Sequence, residues 1–167
     1  MTFDVSNLSS QDAIVALRSY PRRYSSVLSP LPGDDDTVDT IAQRVGPDGV
    51  CALDLLTDVV RTLAVIGRAL HQTVYSDRPV LHEAVIDPAA RHWEGPVETV
   101  ADLLAQLRDE ATELADAADA VPYRDWDRQA TVTGGRTVTA LDLLREAVRT
   151  ATDDLHAIEQ ALRAARG

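Results

Sequence analysis

Cysteine is almost missing from this chain. Cys51 stands alone among 167 residues, so no intrachain disulfide can form, and a reducing compartment such as the cytoplasm is the expected location. Long apolar runs are missing too: no stretch approaches the ~18 uninterrupted apolar residues of a membrane span. The first residues, "MTFDVSNLSSQD", have neither a basic region nor an apolar run, so no signal peptide is expected. Basic charge is scarce. With 16 basic residues against 27 acidic and a net charge of -11, the surface repels phosphate backbones and anionic lipid. Nucleic acid and membrane surfaces are therefore excluded as expected partners. Glycine and proline, 8 of each, fall mostly between periodic segments rather than inside them.

What is present is a helical pattern. Hydrophobic residues make up 45% of the chain, and its length suits one domain over 1–167 with a core needing no covalent staples. The first helix is expected to be capped by Ser9 or Ser10, with Asp12 near its positive end. Ile14, Leu17, Tyr24 and Leu28 give its buried stripe. Pro21 falls within that stripe and is expected to kink the helix near Leu17, at a cost of ~3 kcal/mol unless packing compensates. "SPLPGDDD" stops it, and a short helical turn should follow with Asp36 as cap and Val38, Ile41 and Val45 inward.

A second helix is predicted over about 50–74, a third over about 97–120, and a fourth from Thr139 onward. Leu53, Leu56, Val60, Leu63, Gly67 and Leu70 carry the face of the second; Val100, Leu104, Leu107, Ala111, Leu114 and Ala118 carry that of the third. Between them lies a long connection, in which Asp87-Pro88 reads as a cap followed by a first helical residue. Connections of that length are uncommon unless they cover something. "ATVTGGRTVT" alternates β-branched residues around Gly134-Gly135, the signal of a hairpin with a two-residue turn. Thr139 with Asp142 three residues on forms a capping box for the fourth helix, which should bury Leu141, Leu144, Val148, Ala151, Leu155, Ile158 and Leu162. The fold class that follows is all-α: a four-helix bundle with a small β-hairpin before the last helix.

The fourth helix also carries "DDLH", in which Asp153 and His156 stand three apart. At 100° per residue Asp153 falls opposite the apolar stripe, beside Glu146, Arg149 and Gln160. This is the pattern of a solvated face with an Arg149–Asp153 pair one turn apart. Carboxylate-x-x-imidazole on a helix is equally a way to hold iron or manganese in a bundle, provided another helix adds a ligand.

Five stretches together resemble the DinB-like superfamily, which includes bacillithiol transferases and mycothiol-dependent maleylpyruvate isomerases. They are "LRSYPRRYSSVL", "DGVCALDLLTDVVRTLAVIGRAL", "DRP", "DWDRQATVTGGRTVTALDLL" and "DDLHAIEQAL", in that order over most of the chain. The resemblance implies a four-helix bundle, a homodimer, and a divalent metal, nickel or zinc, held by three histidines that activates a mycothiol-type thiol cofactor. Those three positions fall here on Asp58, Asp153 and Ala157, with Gln160 matching the glutamine that follows. Each family ligand is thus replaced. Imidazole suits nickel and zinc, whereas carboxylates favour magnesium, calcium or manganese. One reading is a degenerate site with no cofactor, Asp58 being held by Arg61 or Arg149, in a protein that binds a small-molecule ligand or a protein partner. The other is a shifted ligand set of Asp58, Asp153 and His156 in a metal-dependent thiol S-transferase or isomerase.

Other residues weigh less. Asp34, Asp35 and Asp36 lack the glycine and glutamate of a calcium loop and read as capping and solubility. His82 and His92 lie in the long connection and can lean over a pocket mouth, or simply be surface residues; His71 suits the negative end of its helix. Cys51 sits in a first helical turn, where a thiol can be activated, but a structural cysteine is the simpler reading. No Ser-His-Asp spacing, P-loop or dinucleotide fingerprint is present.

Overall fold

Ser9 opens the first helix. Its hydroxyl oxygen accepts the Asp12 amide at 3.1 Å, and its O–H reaches the Asp12 carboxylate at 2.8 Å. The computed structural model describes residues 2–167 and carries this helix, α1, from Ser10 to Val27. It runs unbroken through Pro21. Two tyrosines, one before and one a turn after the proline, point inward: Tyr20 and Tyr24 are fully buried, and their hydroxyls reach across to the last helix. Tyr24 donates to the Ala151 carbonyl at 2.7 Å, and Tyr20 pairs with Thr152 at 2.7 Å. That packing offsets the donor lost at Pro21.

The short helix α2 covers Val38–Ala42 and is capped by Thr37 rather than Asp36. Asp36 instead pairs with Arg44. Because α2 ends at Ala42, Val45 is left 68% exposed instead of turning inward, while Ile41 is buried.

Three long helices complete the bundle: α3 (Ala52–Tyr75), α4 (Val100–Asp119) and α5 (Ala140–Arg166). Thr99 caps α4, whose buried face is Leu103, Leu107, Ala111, Leu114 and Ala118; Leu104 is only partly covered. The capping box on α5 is complete, with Thr139 accepting from the Asp142 amide at 3.1 Å and Asp142 from the Thr139 amide at 2.9 Å. Leu143 takes the interior position expected of Leu141, which lies at the margin. α3 packs on α4 and α5, and α1 packs on the same two, so α1 and α3 sit diagonally. One continuous core joins all four.

The hairpin of β2 (Gln129–Val132) and β3 (Thr137–Thr139) is antiparallel, with Thr131 opposite Thr137. Its loop holds three residues rather than two, since the Val132 amide donates to the Arg136 carbonyl at 2.7 Å. Gly134 and Gly135 both take positive φ there, a conformation that excludes most side chains. A third strand, β1 (Val80–Leu81), comes from the long connection and pairs in parallel with β2. Arg128 ties this sheet to the bundle by donating to the Thr73 and Ser76 carbonyls at the end of α3. Asp87 caps a 3-10 turn over Pro88–Ala90, as its sequence suggests. No helix among the described residues is long and apolar enough to cross a membrane.

Candidate functional site

α3 and α5 bring two carboxyl groups together. Asp58 lies near the middle of α3 and Asp154 on α5. Burial, the Asp58 charge and a hydrogen bond to Asp58 push the Asp154 carboxyl up to about 8, against the pull of Arg91. At neutral pH Asp154 therefore keeps its proton and donates to Asp58, and the pair carries one negative charge. Among the described residues no donor reaches Asp154 Oδ2, a buried atom without a partner. The Thr62 hydroxyl, one turn beyond Asp58 on α3, is the other buried side-chain oxygen in that state among the described residues.

Trp93, from the long connection, closes over this pair. Its indole N–H donates to Asp58 Oδ1 at 2.6 Å. A bond from a neutral donor to a charged carboxylate contributes about 1.5–3 kcal/mol when water is kept out. Two residues earlier, the Arg91 side chain is 2% exposed and fully occupied. Its Nε donates to the Ala84 carbonyl at 2.8 Å, Nη1 to Thr150 at 3.1 Å, and Nη2 to Glu146 at 2.9 Å. The connection thus inserts a guanidinium and an indole between itself and the bundle. It covers something, and what it covers is a polar layer.

The residues singled out in the sequence take different places. Asp58 is in this half-buried pair, held by Trp93 and Asp154 rather than by Arg61 or Arg149. Arg61 turns to Glu98 and Gln106, and Arg149 to Glu146 and Asp153. Asp153 accepts from Arg149 at 3.1 Å and from the Phe3 amide at 2.8 Å. The Arg149–Asp153 pair is therefore formed as the helix spacing suggests, but its face is not simply solvated. Glu146, Arg149 and Asp153 side chains are only 12%, 19% and 21% exposed, because the N-terminal segment and Arg91 lie over them. His156 and Gln160 are exposed, and Ala157 is half-buried. His82 and His92 are exposed at a cavity described below, and His71 packs on Tyr75 with ring centres 4.8 Å apart. Cys51 is the buried cap residue of α3, and burial pushes its thiol up, away from reactivity.

Asp154 was the residue sequence reasoning passed over. The signal was there: Thr150, Ala151 and Ile158, which stand four before, three before and four after it, are all buried. A carboxylate at that register is on the bundle side, one step round from Asp153.

The donor set does not fit nickel or zinc. Asp58 is committed to an indole N–H and a neutral carboxyl, Ala157 offers no ligand atom, and no imidazole joins them. Among the described residues no three His, Cys, Asp or Glu side chains are grouped closely enough to hold a metal ion.

Trp93 also forms part of the wall of a cavity of about 470 Å³ between α3 and the connection. Val65, Ala69, Leu81 and Val85 make its apolar lining, and Arg68, Gln72, His82 and His92 its polar one. This volume is in the range of small-molecule sites. Another cavity of about 500 Å³, between α3 and α4, shares Arg68 and Gln72 with it but touches none of the polar layer.

No protein-family model matches the chain, and no curated protein sequence does. Among solved structures the chain is similar to YfiT from Bacillus subtilis, a probable metal-dependent hydrolase with an unusual four-helix bundle topology. The TM-score is 0.75 at 12% identity, over 96% of this chain and 89% of YfiT. The two share a fold, a four-helix bundle.

Proposed function

We propose that this chain is a metal-free member of the fold that binds a small molecule beside Trp93. One observation carries the reading: Asp58, at a position where the resemblance places a metal ligand, already has its carboxylate satisfied by the Trp93 indole and the protonated Asp154. A metal there must displace the indole, expel the shared proton and find a third ligand. The adjoining cavity supplies a place for a ligand body, and Trp93 links the two, with its ring on the cavity and its N–H on Asp58. A bound molecule then shifts the indole and weakens or strengthens its bond to Asp58. We further propose a homodimer as the working assembly, on the resemblance alone; sedimentation as an 18.1 kDa monomer at micromolar concentration opposes it.

Elemental analysis of protein purified without an affinity tag tests the metal-free reading. Less than a tenth of an equivalent of any transition metal supports it. A stoichiometric metal that survives dialysis and is lost in His156→Ala supports the thiol-transferase reading instead. Ligand binding is tested by the Trp93 indole resonance, assigned by its disappearance in Trp93→Phe. Trp126, buried in the turn that precedes the hairpin, serves as the internal reference.

A further inference from the structure

Acid is spread over this molecule unevenly. The chain has 27 acidic residues, yet none lines the cavity of about 470 Å³ beside Trp93. Four other cavities each include at least one carboxylate: Glu110 and Glu113 between α3 and α4, Glu98 in the cleft on the other side of Trp93, Glu146 under the N-terminal segment, and Glu159 near the C-terminus. In a protein of net charge -11, a pocket with cationic and neutral donors and no acid is the exception.

The donors are defined by geometry. The His82 Nδ1 accepts the Ala84 amide at 3.1 Å, so the proton of the neutral ring resides on Nε2, free to donate. Arg68 makes no hydrogen bond or ion pair among the described residues, although the Glu110 carboxylate on the neighbouring cavity attracts it. Its guanidinium can take a carboxylate with two parallel N–H bonds. Gln72 adds an amide, and His92 lies across the mouth. The floor of Val65, Ala69, Leu81 and Val85, with the Trp93 ring, suits a flat or compact apolar body.

From this we infer that the cavity takes a small organic carboxylate, its anionic head on Arg68 and His82 and its apolar body against Trp93. The inference rests on the small-ligand reading above and names the ligand class for it.

Titration with four simple probes decides the matter: benzoate, benzamide, benzylamine and inorganic phosphate, each followed through the Trp93 indole resonance. Benzoate is expected to saturate, roughly tenfold or more tighter than benzamide, with benzylamine and phosphate showing no saturable shift. Arg68→Gln should weaken benzoate by about tenfold and leave benzamide and thermal stability unchanged, while Glu110→Gln, which removes a competing charge near Arg68, should tighten benzoate. Benzamide or benzylamine binding as well as benzoate overturns the ligand class but leaves the small-ligand reading intact. Phosphate equal to benzoate overturns the role of the apolar floor. Silence from all four probes at Trp93 defeats both readings.

Discussion

The α1–α4 and α3–α5 interfaces of this bundle are built on opposite terms. α1 and α4 pack on one another, and the residues they bury, Ala13 and Leu17 of α1 and Leu107 and Ala111 of α4 among them, include apolar side chains that are essentially inaccessible. An ion pair bridging them, Arg18–Asp116 at 2.8 Å, lies in solvent. Between α3 and α5 the apolar packing is interrupted by Asp58 and Asp154, with the ion pair of Arg91 from the connection and Glu146 of α5 close by. The first interface follows from hydrophobic periodicity alone. The second is completed only by a segment from elsewhere in the chain, since Trp93 and Arg91 provide donors that neither helix has. A polar layer in a bundle is costly unless its groups are paired, so its survival here marks the place where the fold gives up stability.

The sharpest contrast should come from the apolar side. Leu107→Ala, at a fully buried position, is expected to lower the unfolding free energy by ~2–5 kcal/mol, read by urea denaturation. A loss under ~1 kcal/mol there would mean that the α1–α4 contact is not the structural half of the molecule.

The polar side should reveal itself through pH. Asp154 in the folded protein titrates at about 8, far above its ordinary 3.8, so between those values the folded state holds a proton that the unfolded chain has lost. Stability from this group is therefore full below pH ~4, falls as pH rises toward about 8, and is level beyond it. Asp154→Asn keeps a donor to Asp58 and removes the titration. Its denaturation midpoint should rise relative to the parent as pH climbs from 5 to ~8, whereas Asp153→Asn should run parallel to the parent. Parallel curves for both variants would break the pairing of Asp58 with Asp154.

Trp93→Phe is next in size. Loss of a neutral donor to a half-buried carboxylate should cost up to about 1.5–3 kcal/mol, and the Asp58 carboxyl resonance should move with it. An unchanged Asp58 resonance would show that the indole does not hold it. Smallest of all is Arg18→Ala, whose solvent-exposed pair should change stability by less than ~1 kcal/mol at low salt and less still at high salt.

Much of this was legible without coordinates, and the reasons are local. The Ser9 and Thr139 caps and the 3–4 spacing of α5 depend on residues within a turn of one another. The structure departs from the sequence pattern where neighbours along the chain compete for one face. Leu103 displaced Leu104, Thr37 displaced Asp36, and Asp154 rather than Asp153 met Asp58, each a step of one residue or 100° on a helix. The polar lid was not legible at all. Trp93 and Arg91 lie in an irregular segment whose periodicity says nothing of direction.

The sequence by itself determined the helices, their caps, the hairpin and the all-α class, because backbone hydrogen bonding and side-chain period act over a few residues. Tertiary structure alone decided which carboxyls meet, which one keeps a proton, and which cavity is free of acid. Those properties depend on distances of a few ångströms between segments far apart in the chain, where burial removes water and turns a small separation into a large shift in charge.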